Sequence, residues 1–143
     1  MAARILVTGG TGTLGRQVVP LLLDAGCDVR VLSRHRRSAE PGVEFVTGDL
    51  LANEGIQAAV DGAGIVVHCA GSNKGDDTAT RNLVRAAVPA RVAHLVYISV
   101  IGADRVPVIN GIDRVMFGYF ATKLAAERAV AGSGLPWTTL RAA

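Results

Sequence analysis

The amino-acid sequence predicts an α/β protein, a doubly wound parallel sheet with helices on both faces in a three-layer α/β/α arrangement. Strand-like and helix-like segments alternate along the 143 residues, which is typical of parallel strands joined by crossover helices. The strand cores are near-continuous apolar runs, such as residues 65–67 and 95–98, as expected when both faces of a sheet are covered. A glycine-rich turn between the first strand and the first helix is the third sign of this fold class.

The first half of the chain is predicted to contain three strands and two helices. The strands fall near residues 4–8, 28–33 and 43–47, and the helices near 13–25 and 53–61. Asn53 is the predicted N-cap of the second helix because its side chain can accept a hydrogen bond from an unpaired N–H group. Gly26 and Gly62 stand where these helices should end, since glycine readily adopts the left-handed conformation that closes a helix.

The second half repeats this alternation. Strands are predicted near residues 64–69, 94–99 and 136–141, and helices near 77–89 and 117–131. Asp76 or Asp77 is the predicted N-cap of the first of these helices, and Gly132 the residue that ends the second. An irregular stretch from 102 to 116 separates the fifth strand from the last helix. It either covers a ligand at the carboxyl ends of the strands or is a surface insertion.

Composition limits the classes of function. Half of the residues are hydrophobic and 19% are charged, so we expect one globular domain over residues 1–143. No apolar run approaches the roughly 20 residues that span a bilayer, and the first strand begins too early for a signal peptide, which predicts a cytoplasmic protein. A net charge of +3 with 4% aromatic residues argues against a nucleic-acid partner. Cys27 and Cys69 lack metal-ligand spacing, so we expect two buried reduced thiols and no metal.

The turn after the first strand carries the most informative motif. Gly10, Gly12 and Gly15 satisfy the pattern G-x-G-x-x-G, and Gly9 with the last two satisfies G-x-x-G-x-x-G. Such glycines permit a tight turn, let the backbone approach a pyrophosphate and let the helix pack on the strand. The phosphates then face unpaired N–H groups at the positive end of the helix dipole. The residues predicted to bind a dinucleotide here are Gly9, Thr11, Gly12, Thr13, Leu14 and Gly15.

The end of the second strand predicts which dinucleotide binds. A site for NAD usually has an acid about 20 residues after the glycines, where it binds the ribose 2′-hydroxyl and repels a 2′-phosphate. Here the strand ends in Ser33 and Arg34, and the nearest acids lie before and beyond this point. Arg34 is therefore predicted to bind a 2′-phosphate, with the Ser33 hydroxyl beside it and Arg36 or Arg37 adding charge. NADP(H) is the predicted cofactor, and NAD(H) is the less favoured one.

Two further segments are predicted to reach the adenosine half of the cofactor. Asp49 follows the third strand, where its carboxylate can accept a hydrogen bond from the adenine amino group. Asp49 and Leu50 are therefore assigned to the site, with a helix cap or a turn as the alternative for Asp49. Ala70 and Gly71 follow the fourth strand, where small residues let the chain pass close to the ribose, although a simple turn would look the same.

Together, these motifs resemble the short-chain dehydrogenase/reductase superfamily, and within it the atypical NmrA-like NAD(P)H-binding branch. The resemblance runs essentially from end to end. It is carried by Thr8-Gly9-x-x-Gly12-x-x-Gly15, Gly48-Asp49-Leu50, His68-x-Ala70-Gly71, Val96-Tyr97-Ile98-Ser99, Tyr119-x-x-x-Lys123 and Leu135-Pro136-Trp137-Thr138. It implies a Rossmann fold that binds NAD(P)(H) and, in active members, a Ser-Tyr-Lys site for hydride transfer.

Tyr119 and Lys123 form the predicted catalytic pair. They lie four residues apart in a helical segment, so they share one face of the helix. A phenol is a poor acid or base near neutral pH, but an adjacent ammonium stabilises the phenolate. The resemblance implies that Lys123 also hydrogen-bonds the nicotinamide ribose and that Ser99 holds the substrate carbonyl oxygen beside Tyr119. The alternative is that Tyr119 packs at the sheet and Lys123 lies on a solvated face near Glu127.

The sequence ends soon after the sixth predicted strand, whereas members of the resembled branch continue into a substrate-binding part. That part is therefore expected to be absent. The chain is then a truncated relative, a fragment of a longer protein, or a domain whose open substrate side is covered by a second copy or a partner chain. Three functions stay open at this point. They are an NADP(H)-dependent oxidoreductase acting on a small carbonyl or alcohol, a non-catalytic NADP(H)-binding redox sensor, and an inactive truncated relative. Nothing in the sequence names the substrate.

Overall fold

Six parallel strands form a single sheet in a computed structural model that describes residues 4–69, 75–103 and 111–142, with only the backbone described over 111–117. The strands are β1 (Arg4–Thr8), β2 (Asp28–Ser33), β3 (Val43–Thr47), β4 (Ile65–His68), β5 (His94–Val100) and β6 (Trp137–Ala142). The helices are α1 (Gly15–Asp24), α2 (Ile56–Val60), α3 (Asp76–Ala87) and α4 (Gly111–Ala131). The strand order β3-β2-β1-β4-β5-β6 confirms the predicted doubly wound Rossmann fold.

The two faces of the sheet pack against different helices. Successive residues of a strand point to opposite faces, so each strand contributes to two separate cores. One core joins the sheet to α2, α3 and α4, and the other joins it to α1. The first includes Leu6, Leu32, Val66 and Leu95, and the second includes Ile5, Val7, Val29 and Val31. The three layers are therefore as predicted, and apolar side chains on both faces explain the near-continuous hydrophobic strands.

The start of α4 differs from the prediction. The stretch 102–116 was expected to be irregular, but the helix already begins at Gly111. The turn-like pair of Asn110 and Gly111 favours a loop in the sequence, whereas the backbone is already helical from Gly111. The helix therefore gains six residues at its N-terminus relative to the predicted start at 117. Residues 104–110 lie outside the described part of the chain.

The N-caps of α2 and α3 also correct the prediction. Each helix is preceded by a glycine in the left-handed conformation, Gly55 at φ 69° and Gly75 at φ 79°. Asn53 therefore lies before the cap of α2, and Asp76 and Asp77 lie in the first turn of α3 instead of capping it. Acids in a first helical turn are stabilised by the helix dipole without serving as the cap.

The predicted helix ends agree with the structure. Gly26 and Gly62 follow α1 and α2 with φ values of 81° and 75°, and Gly132 follows the last residue of α4. Cys27 and Cys69 are free thiols and are partly buried. Burial raises the pKa of the Cys69 thiol to about 11, so this group is protonated at neutral pH. Among the described residues, no helix is both long and apolar enough to cross a bilayer.

Candidate active site

The candidate site lies where the strand order reverses. β1 and β4 are neighbours in the sheet, but the chain leaves them in opposite directions, so a crevice forms outside their carboxyl ends. Thr8 and His68 are register partners at these two ends. The glycine turn starts directly after Thr8, and α3 approaches the same edge of the sheet from the β4 side. Most of the predicted site residues therefore converge on this edge.

Glycine is required in the turn after β1 for two separate reasons. Gly9 has a positive φ of 69°, a conformation that strains other residues. The N–H of Gly12 donates to the Gly9 carbonyl at 3.0 Å and closes the turn. A Cβ atom at Gly15 would overlap the backbone of Gly9 and Gly10, and one at Gly10 would lie 2.8 Å from Val31 Cγ1. The turn therefore lets α1 pack closely against β1 and β2.

The same turn presents unpaired backbone N–H groups. Within the described part of the chain, no backbone carbonyl accepts a hydrogen bond from the N–H of Thr11, Thr13 or Leu14. Thr13 and Leu14 are exposed, and they lead directly into the ten-residue helix α1, whose N-terminus carries the positive end of the helix dipole. Unpaired N–H groups at such a helix start form a site for phosphate. The residues present therefore fit the diphosphate of a dinucleotide.

Basic side chains line a cavity beside this turn. The cavity has a volume of about 250 Å³ and lies between α1, β2 and β3. Its polar lining consists of Thr11, Arg16, Arg37 and the acidic Glu40, and Arg16 Nε donates to the Thr11 carbonyl at 2.9 Å. Arg34 is exposed and is not among the lining residues. The Ser33 hydroxyl donates to the His35 carbonyl at 2.8 Å, so its proton is used within the turn after β2.

Asp49 and Leu50, which were predicted to reach the adenosine half of the cofactor, make contacts within the chain. Asp49 Oδ1 accepts hydrogen bonds from the N–H groups of Leu51 at 2.9 Å and Ala52 at 3.2 Å, which is the turn geometry foreseen as the alternative. The side chain of Leu50 is only 7% exposed and packs in the core shared with α2 and α3. Ala70 and Gly71 lie outside the described residues, so their predicted contact with the ribose stays a prediction.

Ser99 donates a hydrogen bond to a carboxylate of α4. This residue of β5 is 1% exposed, and its hydroxyl donates to Glu127 Oε2 at 2.8 Å. The other carboxylate oxygen of Glu127 accepts from Arg141 of β6, with Nη2 at 2.8 Å and Nε at 3.1 Å. A hydroxyl has a single proton, so Ser99 must release Glu127 before it can donate to a substrate carbonyl. Glu127 thereby ties α4 to two strands.

Lys123 is buried against the sheet, which differs from the solvated position considered as the alternative. It is 6% exposed, and its Nζ lies 3.1 Å from Asp76 Oδ2 in α3. The same oxygen accepts the hydroxyl proton of Tyr97 at 2.5 Å. Nζ also lies 5.3 Å from the centre of the Tyr97 ring, where a cation is attracted by the ring's π-electrons. Lys123 is therefore held by groups from two other elements.

Only one of the two tyrosines is open to a ligand. Tyr97 is completely buried, and burial raises the pKa of its phenol above the ordinary value, with the hydrogen bond to Asp76 raising it further. Tyr97 is therefore unsuited to exchange a proton with a substrate. Tyr119 is partly exposed, lies one helical turn before Lys123 and contacts the Phe120 ring edge-on at 5.5 Å.

A buried histidine links Tyr97 and α3 to the glycine turn. His68 Nδ1 lies 2.5 Å from Thr8 Oγ1, and its Nε2 lies 2.9 Å from Thr80 Oγ1 in α3. Its ring stacks on Tyr97 with 5.3 Å between the ring centres. Burial lowers the pKa of His68 to about 4, so the ring is neutral at pH 7. The sequence analysis did not assign this polar cluster, although His68 and Tyr97 at inward positions of apolar strands were a usable signal.

Comparison with known proteins identifies the cofactor class. Residues 9–143 match the protein family described as NAD(P)H-binding. The chain belongs to the NAD(P)H-binding family. A nicotinamide dinucleotide is therefore its cofactor, as predicted, and the glycine turn with its unpaired N–H groups is the feature that fits the diphosphate. The choice between NADP(H) and NAD(H) stays a prediction.

Named relatives of this NAD(P)H-binding chain are larger proteins. Photosystem II assembly factor Ycf39 of Synechocystis sp. is 30% identical over an alignment of 152 positions, gaps included, that covers 98% of this chain and 44% of the relative. Sterol-4-alpha-carboxylate 3-dehydrogenase, decarboxylating, of Homo sapiens is 29% identical over an alignment of 153 positions that covers 94% of this chain and 41% of the relative. The chain thus spans less than half of the length of these two relatives.

A solved structure agrees with the fold. ChuY, an anaerobillin reductase from Escherichia coli O157:H7, superposes on this chain with a TM-score of 0.84 at 25% sequence identity. The match covers 97% of this chain and 72% of that structure. This neighbour confirms the fold implied by the predicted short-chain dehydrogenase/reductase resemblance, and the family match confirms the cofactor class.

Proposed function

We propose that this chain is an NADP(H)-dependent oxidoreductase that transfers a hydride between the cofactor and a small carbonyl or alcohol. The observation that carries the proposal is the pair on α4, a partly exposed Tyr119 one helical turn before a fixed Lys123 ammonium. Membership of the NAD(P)H-binding family supports the cofactor class. The names of a dehydrogenase relative and a reductase neighbour support the reaction class. The two free thiols fit the reducing cytoplasm, which we propose as the compartment.

In the proposed reaction, side chains of the protein carry out the proton transfer. A bound reduced nicotinamide would provide the hydride, with its electron pair, for the carbonyl carbon of the substrate. Tyr119 gives its hydroxyl proton to the carbonyl oxygen, so an alcohol forms and a phenolate is left on the protein. The Lys123 ammonium stabilises this phenolate, which then regains a proton from solvent. Ser99 orients the carbonyl oxygen once its hydroxyl turns away from Glu127.

In the proposed binding mode, backbone N–H groups hold the central diphosphate of the cofactor, and basic side chains hold the 2′-phosphate on its adenosine ribose. The N–H groups of Thr11, Thr13 and Leu14 hold the diphosphate. The guanidinium groups of Arg37, in the cavity beside the turn, and of the exposed Arg34 after β2 hold the 2′-phosphate. A guanidinium makes two parallel hydrogen bonds to a phosphate, which is why charge reversal at either position is a direct test.

Tyr119→Phe tests the reaction. We expect turnover to fall about 100-fold, because general acid–base catalysis contributes at least that much, while NADPH affinity stays unchanged. Oxidation of NADPH is followed by its absorbance with a panel of aldehydes and ketones, and affinity is measured by calorimetry. Phe120→Leu is the matched control, since it alters the neighbouring ring without removing a proton donor. Equal turnover in Tyr119→Phe and the unchanged protein would refute the assigned role.

Charge reversal tests the coenzyme preference. We expect Arg34→Asp and Arg37→Asp each to weaken NADPH binding by about 1.5–3 kcal/mol, the usual contribution of a hydrogen bond between charged groups. NADH lacks the 2′-phosphate, so its affinity should change little. Arg91→Asp, at an exposed position before β5, makes the same charge change outside the site and is the control for general electrostatics. Equal losses for NADPH and NADH would contradict a 2′-phosphate site.

A redox sensor is the second candidate, and a specific observation favours it. Two of the three predicted catalytic groups are paired with carboxylates of the chain itself, Ser99 with Glu127 and Lys123 with Asp76. A module that binds NADP(H) and reports through a partner would use the fold without turning over substrate. It predicts partner binding that differs between reduced and oxidised cofactor. An inactive relative, the third possibility, would show neither turnover nor selective NADPH binding.

A further inference from the structure

The ammonium of Lys123 is fixed by groups from α3 and β5, which do not belong to its own helix. Asp76 of α3 lies 3.1 Å from Nζ, and the ring of Tyr97 on β5 lies beneath it at 5.3 Å. Asp76 is 2% exposed and Tyr97 is fully buried. The phenol of Tyr97 donates to the same carboxylate oxygen that faces Lys123. The carboxylate is therefore held in place from two sides.

Asp76 is a suitable anchor because of its position in α3. It lies in the first turn of a twelve-residue helix, where the helix dipole stabilises a carboxylate. The same helix is tied to the sheet through Thr80, which hydrogen-bonds His68 at 2.9 Å. His68 in turn contacts Thr8, the residue before the glycine turn. A continuous set of buried contacts therefore relates Lys123 to the place where the diphosphate fits.

The ion pair leaves donors on Lys123 for other acceptors. An ammonium carries three N–H donors and no acceptor. Within the described residues, the Asp76 carboxylate is the acidic group at ion-pair distance from Nζ. Asp76 therefore leaves Lys123 with further N–H donors for an oxygen acceptor. Under the proposed function, the acceptors for these donors are the hydroxyl groups of the nicotinamide ribose and of Tyr119.

We infer that Asp76 and Tyr97 are positioning residues that hold the Lys123 ammonium for the nicotinamide ribose of the bound coenzyme. Neither residue touches the substrate in this arrangement, and both act through Lys123. The inference rests on the proposed function for the contact between Lys123 and the ribose. That Asp76 and Tyr97 fix the Lys123 ammonium follows from the distances among these three side chains alone.

The composition of the chain permits a direct test. It contains two lysines, Lys74 and Lys123, so Lys74→Arg leaves one lysine whose ¹³Cε–¹Hε signals are assigned without ambiguity. In this background we expect Lys123 to show two distinct Hε signals shifted by the Tyr97 ring, as in a fixed side chain. Asp76→Asn should merge them and move them toward the position of an unstructured lysine. It should also weaken NADPH and NADH binding equally, by about tenfold, because both coenzymes contain the nicotinamide ribose.

Two variants complete the experiment. Tyr97→Phe keeps the ring and the Asp76 charge but removes the shared hydroxyl, so it folds with less disturbance and should give a smaller change in the same direction. Asp77→Asn is the matched control, since Asp77 is in the same helical turn but pairs with Arg81 at 2.8 Å. It should leave the Lys123 signals and both affinities unchanged.

The outcomes separate this inference from the proposed function. Unchanged Lys123 signals in Asp76→Asn, or altered signals with unchanged coenzyme affinity, would overturn the positioning role. Absence of coenzyme binding to the unchanged protein would refute the proposed function instead, and the lysine signals alone would then decide whether Asp76 positions Lys123. Loss of NADPH affinity without an equal loss of NADH affinity would also count against the inference.

Discussion

Gly15→Ala is expected to abolish detectable NADPH binding and to destabilise the protein. The added Cβ would overlap the carbonyl oxygen of Gly9 and the backbone of Gly10, so α1 must move away from the turn. Overpacking against backbone costs about 3 kcal/mol of folding stability. The displaced N–H groups of Thr13 and Leu14 would also lose the hydrogen bonds proposed to the diphosphate, each worth about 1.5–3 kcal/mol. Chemical denaturation and calorimetric titration measure the two effects separately.

Gly64→Ala is the matched control for this substitution. A Cβ at Gly64 meets its nearest neighbour, the carbonyl oxygen of Arg4, at an ordinary 3.8 Å, and the position lies at the opposite end of β4 from the site. We expect stability and NADPH affinity close to those of the unchanged protein. A Gly15→Ala variant that binds NADPH normally would show that the turn is not where the diphosphate binds.

The fold was predictable because its signals are local and repeated. All six predicted strands agree with the structure to within one residue at each end, since apolar runs bounded by turn residues define them. The helix starts were less predictable. At Gly55 and Gly75 the cap is a left-handed glycine, while the neighbouring Asn53 and Asp76 match the usual sequence preference for a cap. Sequence preference alone could not identify the N-cap residue, because the backbone conformation of the glycines determined where each helix starts.

The conformation of the glycine turn was predictable for the same reason. Glycines at fixed spacing between a strand and a helix imply the turn conformation, the close packing and the unpaired N–H groups without any long-range information. The sequence analysis gave Arg36 and Arg37 as equal alternatives for adding charge to the site. In the structure, Arg37 lines the cavity next to Thr11. Side chains on an exposed turn cannot be ranked by sequence position alone.

The buried polar contacts were not predictable, because they join residues far apart in the chain. Arg30 interrupts an apolar strand, yet it is 5% exposed and donates to the Ala59 carbonyl at 2.8 Å at the end of α2. Asp76 resembled a helix cap and Lys123 one member of a motif, but their pairing spans two helices. A polar residue at an inward position of a strand needs a partner, and the sequence does not say which.

The stability of the protein is expected to fall between pH 6.5 and pH 4 because of His68. Burial lowers the pKa of this ring from 6.5 to about 4, so in this window the unfolded chain binds a proton that the folded chain excludes. Stability therefore rises with pH through this range and is fully present above 6.5. The difference between the two pKa values corresponds to about 3 kcal/mol. Urea unfolding at a series of pH values measures it.

His68→Gln isolates this contribution from that of the acids. Glutamine does not titrate, and its amide can donate and accept hydrogen bonds as the neutral ring does toward Thr8 and Thr80. The variant should be less stable at pH 7, because the packing against Tyr97 is lost, but its stability should decline less steeply toward pH 4. His35→Gln, at an exposed position, should keep the original slope. Identical slopes in His68→Gln and the unchanged protein would mean that the histidine is protonated in the folded state. The polar cluster beneath the coenzyme site would then carry a positive charge beside Lys123, which the neutral ring avoids.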